Sequence, residues 1–141
     1  MPIELAVDAN VLFSAMLADG TTRRLILDRR LRLCAPSYLM EEMLRHMRGD
    51  DKLARKLNRT KEEAAMQLQS LGRHIEVVPL EEYGASIPEV LKDCPDPFDA
   101  EYLAVAKRRS IPLWTNDRRL KNQAAVEVLN TREVLELLGR K

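Results

Sequence analysis

Four acidic residues stand where apolar segments end or helices open: Asp8, Glu42, Asp99 and Asp117. Asp8 closes Ile3-Glu4-Leu5-Ala6-Val7, and Asp117 closes Ile111-Pro112-Leu113-Trp114-Thr115-Asn116. Asp99 opens Asp99-Ala100-Glu101-Tyr102-Leu103-Ala104-Val105-Ala106. Brought together, such carboxylates line a pocket with oxygen, the donor that a hard cation such as Mg2+ or Mn2+ prefers. Two carboxylates about 5 Å apart repel by roughly 3 kcal/mol at an effective dielectric near 20. Three or four together are intolerable without protons or a cation. A divalent ion held there suits phosphodiester cleavage, because it stabilises developing charge and activates water. Each acid alone also has an ordinary structural role. Asp8 can cap a helix, Asp99 sits in a first turn where a carboxylate favours the dipole, and Asp117 can be a turn residue.

No other chemistry competes in this chain. It has no Gly-x-x-x-x-Gly-Lys phosphate loop, no Gly-x-Gly-x-x-Gly and no serine in a nucleophile elbow. His46 and His74 are isolated, and no Cys or His spacing fits zinc. Cys34 and Cys94 lie far apart and read as reduced thiols.

The elements that must position the acids follow from periodicity and punctuation. Residues 3–7 read as a buried strand, with a short helix from Asn10 to Leu17 ending near Gly20. Thr22 is the expected cap of a second helix through about Arg29. Leu31–Cys34 reads as a brief strand, and Ser37 caps a helix to about Met47. Leu39, Met40, Met43, Leu44 and Met47 form one face of that helix, flanked by Glu41 and Glu42 on opposite sides. Gly49-Asp50 breaks it. Residues 50–72 read as a charged helical arm that could project, and Thr60-Lys61-Glu62-Glu63 within it is a capping box. Its helix stops at Gly72. Ile75–Val78 is strand-like, and 80–94 is one or two short helical turns. Asp96 caps a helix with Pro97 at its first position, ending near Arg109. Residues 111–115 and 126–129 are the remaining strands, and Thr131 caps a terminal helix ending at Gly139.

Strands that alternate with helices predict an α/β fold. The expected architecture is a single domain over residues 1–141: a doubly wound parallel sheet of about five short strands with helices on both faces. Ligands of such sheets bind beyond the carboxyl ends of the strands, where Asp8 and Asp117 fall. Composition agrees with one core: 141 residues, 45% hydrophobic and 4% aromatic. Net charge is +1, from 23 basic and 22 acidic side chains, so overall charge does not demand nucleic acid. Basic residues do cluster, and one cluster, Arg118-Arg119 with Lys121, directly follows Asp117. No apolar run is long enough to span a membrane. The N-terminus carries no signal-peptide pattern, so a cytoplasmic location is expected.

Three segments carry a resemblance. Val7-Asp8-Ala9-Asn10-Val11-Leu12 resembles the opening motif of the PIN-domain nucleases: a strand, an aspartate, a small residue, then Asn, Ser or Thr. Asp96-Pro97-Phe98-Asp99-Ala100-Glu101-Tyr102-Leu103-Ala104-Val105-Ala106 is similar to their third motif. Trp114-Thr115-Asn116-Asp117-Arg118-Arg119-Leu120 is similar to their last. Order and separations fit over nearly the whole chain. Periodicity does not choose between Glu41 and Glu42, whereas similarity to the family favours Glu42.

The resemblance implies an Mg2+- or Mn2+-dependent endoribonuclease, with Asp8, Glu42, Asp99 and Asp117 as catalytic and metal-holding residues. Asp96 would either join them or serve only as the helix cap. Asn10, Thr115 and Asn116 would orient carboxylates or water, and Arg118 and Arg119 would hold flanking phosphates of the RNA. Many small family members are toxins neutralised by an antitoxin and form homodimers, so an antitoxin protein and a second copy are the expected partners. Two alternatives are an RNA-processing nuclease without an antitoxin and a non-catalytic RNA- or protein-binding member of the fold. A receiver-like phosphoacceptor domain fits poorly, because Asp8 has no neighbouring acid and no lysine follows Val126–Leu129.

Overall fold

Ile3–Val7 forms strand β1 at the centre of a five-stranded sheet of order β3-β2-β1-β4-β5. The computed structural model describes residues 2–17, 20–49, 55–56 and 60–139, without the side chains of Met40, Leu44 and residues 46–49. The expected helix over 50–59 therefore lies largely outside the described residues, as do the side chains of His46 and Met47. The other strands are β2 (Leu31–Pro36), β3 (Ile75–Val78), β4 (Leu113–Trp114) and β5 (Val128–Leu129). Every pairing is parallel. Consecutive residues of the two inner strands are buried: Leu5, Ala6 and Val7 on β1, and Leu33, Cys34 and Ala35 on β2. Burial without alternation means that both faces of the sheet are covered, as parallel sheets require.

Among the described residues the helices are α1 (Ala9–Leu17), α2 (Thr21–Ile26), α3 (Tyr38–Gly49), α4 (Lys61–Gly72), α5 (Leu80–Tyr83), α6 (Ile87–Leu91), α7 (Ala100–Arg109) and α8 (Thr131–Gly139). Three 3-10 turns, Gly84–Ser86, Pro97–Asp99 and Arg118–Asn122, join them. Helix α4 begins with the expected capping box: Thr60 Oγ1 accepts from Glu63 N and Glu63 Oε1 accepts from Thr60 N, both at 3.1 Å. It packs on α1, α3 and β3 and buries Ala64, Leu68 and Leu71, so this half of the expected arm lies against the body.

Two caps differ from expectation. Thr22 is buried inside α2, whose cap is Gly20 at φ 97°, a left-handed backbone that glycine adopts without strain. Asn130, not Thr131, caps α8: its Oδ1 accepts from Glu133 N at 2.8 Å, and its N donates to Glu133 Oε1 at 3.0 Å. Thr131 Oγ1 instead accepts from the indole of buried Trp114 at 3.1 Å.

The last two strands are shorter than their apolar runs. Pro112 has no N–H for a ladder, although its carbonyl accepts from Ala6 N at 2.9 Å. Val126 is held by a side chain, with Gln123 Oε1 on its N–H and Gln123 Nε2 on its carbonyl. On the other side of β1, β2 reaches Pro36 because Ala35 and Pro36 pair with Val77 and Val78 of the edge strand β3.

Chain order reverses between β1 and β4. β2 and β3 lie to one side of β1, and β4 and β5 to the other. That switch point opens a crevice at the carboxyl ends of the strands. Helix α7 packs across β1, β2 and β4, which fixes the acids at its start relative to those ends.

Candidate active site

Asp8 is placed by strand register. Val7 pairs with Trp114, so Asp8 and Thr115 leave adjacent strands side by side. Both are buried, Asp8 at 3% exposure. Asp8 Oδ1 accepts from Val11 N at 3.2 Å, which also caps α1, and Oδ2 accepts from the Thr115 hydroxyl. Burial pushes the Asp8 carboxyl up from 3.8 to about 6, against the pull of those bonds and with the help of the nearby Asp99 charge.

Thr115 also accepts from Asp117 N at 3.1 Å, so one hydroxyl couples the two aspartate segments. Asp117 caps the Arg118–Asn122 turn through Arg119 N at 3.0 Å. The same carboxylate takes a two-pronged ion pair from Arg119, with Nε at 3.1 Å and Nη2 at 2.8 Å. That guanidinium holds Asp117 below its ordinary value.

Asp99 ends the turn that Asp96 opens. Asp96 Oδ1 accepts from Phe98 N at 3.0 Å, fulfilling its expected capping role. Partial burial raises the Asp99 carboxyl, and the charges of Asp96, Asp117 and Glu42 raise it further, with Arg119 opposing them. Carboxylates from four separate segments thus share one electrostatic neighbourhood. Glu42, half-buried on α3, accepts from Tyr102 Oη at 3.2 Å. Glu41 is exposed.

Tyr102 adds a neighbour to these acids that the sequence pattern alone does not mark. It lies one turn past Asp99 on α7, which was the available signal, and its ring meets that of Tyr38 at 5.7 Å. Burial and the adjacent Tyr38 and Glu42 raise its hydroxyl well above the ordinary phenol value, so it stays a proton donor toward Glu42.

Other expected site residues stand apart. Asn10 is exposed at the start of α1, with its backbone N–H near Asp8. Asn116 Oδ1 is committed to Thr131, accepting from its N at 2.9 Å and its hydroxyl at 3.1 Å. Arg118 is exposed, whereas Arg119 is engaged by Asp117.

Among the described residues no three His, Cys, Asp or Glu side chains close into a preformed set of metal ligands. Asp8 is turned to Thr115 and Asp117 to Arg119. In kind the donors fit a hard divalent cation, since they are all oxygen.

A family model of the PIN domain matches residues 6–139. No curated protein matches the sequence. Several solved structures share the fold. One is PAE2754 from Pyrobaculum aerophilum, 20% identical, covering 99% of this chain and 91% of that one with a TM-score of 0.69. Another is VapBC2 from Rickettsia felis bound to a promoter DNA fragment, 14% identical, covering 91% and 98%, TM-score 0.69. A third is a toxin–antitoxin complex from Klebsiella pneumoniae, 15% identical, covering 90% and 97%, TM-score 0.60.

Proposed function

The chain belongs to the PIN domain family, and from that premise we propose that it is a metal-dependent endoribonuclease and the toxin of a toxin–antitoxin pair. The observation that carries the reading is strand register: Val7 pairs with Trp114, so Asp8 and Thr115 leave adjacent strands side by side, and the Thr115 hydroxyl bonds both the Asp8 carboxylate and the Asp117 backbone N–H. Acids gathered at the switch point of a parallel sheet are costly unless they hold a positively charged group.

Asp8, Glu42, Asp99 and Asp117 would hold Mg2+ or Mn2+, with Asp96 as a further oxygen donor. When bound, the ion supplies charge neutralisation at the scissile phosphate and an activated water. The chain's own residues prepare the site. Thr115 fixes the direction of the Asp8 carboxylate, and Tyr102 fixes that of Glu42. Exposed Arg118 is free to meet a flanking phosphate of the RNA. Arg119 donates to Asp117 through Nε and Nη2, which leaves its Nη1 donors for a phosphate.

The toxin role is supported by fold neighbours that include a toxin–antitoxin complex. On this reading an antitoxin protein is the partner, the working form is a homodimer, and the place of action is the cytoplasm. Among the described residues no helix is long and apolar enough to cross a membrane.

The test uses a labelled single-stranded RNA with Mg2+, Mn2+ or a chelator. Cleavage should need the metal and vanish in Asp8→Asn with the fold intact by circular dichroism. Full activity in chelator, or in that variant, would refute the assignment. Growth arrest on induced expression, lost with Asp8→Asn, tests the toxin role.

A further inference from the structure

Phe98 lies between two acids of the site, Asp96 and Asp99, yet its side chain is 85% exposed, more than any other large apolar residue described. Its backbone is held at both ends. The N–H donates to Asp96 Oδ1 at 3.0 Å, and the carbonyl accepts from Tyr38 Oη at 3.3 Å. Pro97 restricts the turn before it, and α7 continues the chain directly after Asp99. An apolar ring has thus been left in water on an anchored backbone, beside the candidate active site. An exposed aromatic face on a fixed backbone is what an unpaired base of single-stranded nucleic acid stacks on.

We propose that Phe98 is the platform on which one unpaired base stacks next to the bond that is cut. The inference rests on the ribonuclease reading above and assigns one side chain a role in binding substrate. A base lying on the ring must be out of any duplex. The site would therefore act on unpaired stretches, with little preference among bases because each presents a π face.

The experiment measures Mn2+-dependent cleavage of a single-stranded RNA oligonucleotide by wild type, Phe98→Ala, Phe98→Trp and Met66→Ala. Met66, on α4, is 69% exposed and serves as the control for loss of an exposed apolar side chain. Phe98→Ala should raise KM about tenfold with kcat little changed, as loss of one base–aromatic stack predicts. Phe98→Trp should restore KM, and Met66→Ala should match wild type. An abasic nucleotide beside the cut should raise KM for wild type by a similar factor and add nothing in Phe98→Ala. Wild-type KM in Phe98→Ala, or an abasic penalty undiminished in that variant, overturns the proposal. So does an effect of Phe98→Ala confined to self-association in sedimentation, which would make the ring a protein contact. If wild type neither binds nor cleaves RNA, the ribonuclease reading fails and takes this one with it. Robust cleavage indifferent to Phe98 overturns the platform alone.

Discussion

Replacing Asp8 by Asn should make the metal-free protein more stable at neutral pH while removing activity. Asp8 is buried, and burial moves its carboxyl from 3.8 to about 6. At about 1.4 kcal/mol per pH unit, keeping that carboxylate ionised inside the fold costs about 3 kcal/mol. The folded chain binds the Asp8 proton more tightly than the unfolded chain does. This contribution therefore favours folding fully below pH 4, is lost as pH rises from about 4 to about 6, and stays lost above. Asparagine is neutral throughout. Its oxygen can still accept from Val11 N, and its amide can donate to the Thr115 hydroxyl, which would turn to accept. Urea unfolding in chelator between pH 4 and 7.5 should show Asp8→Asn ahead by up to about 3 kcal/mol at pH 7.5, with the gap closing toward pH 4. Added Mn2+ should stabilise the wild type by mass action and the variant much less. A variant less stable than wild type at pH 7.5, or a gap independent of pH, would refute the reasoning.

Gln123 should be a structural keystone of the segment before β5. It is buried, donates to the Leu120 and Val126 carbonyls at 2.8 Å each, and accepts from Val126 N at 3.0 Å. Gln123→Leu strands three backbone groups and should cost about 3 kcal/mol in urea unfolding; a loss under about 1 kcal/mol would mean that those groups find other partners. Thr60→Ala removes one half of the capping box on α4 and should cost about 1 kcal/mol by the same measurement, with Mn2+-dependent cleavage unchanged.

Local stereochemistry was readable along the chain. The capping box at Thr60, the cap at Asp96 with Pro97 after it, and the five strand positions depend on near neighbours and on burial. Strand lengths were less readable, because β4 and β5 stop where Pro112 and the Gln123 clasp remove ladder groups. The two missed caps have the same origin. Thr22 and Thr131 are good capping residues, but the first is drawn into the core and the second is taken by the Trp114 indole.

By itself the sequence determined a parallel α/β sheet with Asp8 and Asp117 at strand ends, since apolar runs, breakers and the chirality of crossovers leave few other arrangements. Only the tertiary structure decided which side chains meet there. Glu41 and Glu42 flank their helix face symmetrically, yet Glu42 accepts a hydrogen bond from Tyr102, sixty positions away, while Glu41 is exposed. Asn116 turns to Thr131, and Arg119 turns to Asp117. These are competitions among charged and polar groups converging from distant segments. Their outcome depends on distances and burial that exist only once the sheet has closed.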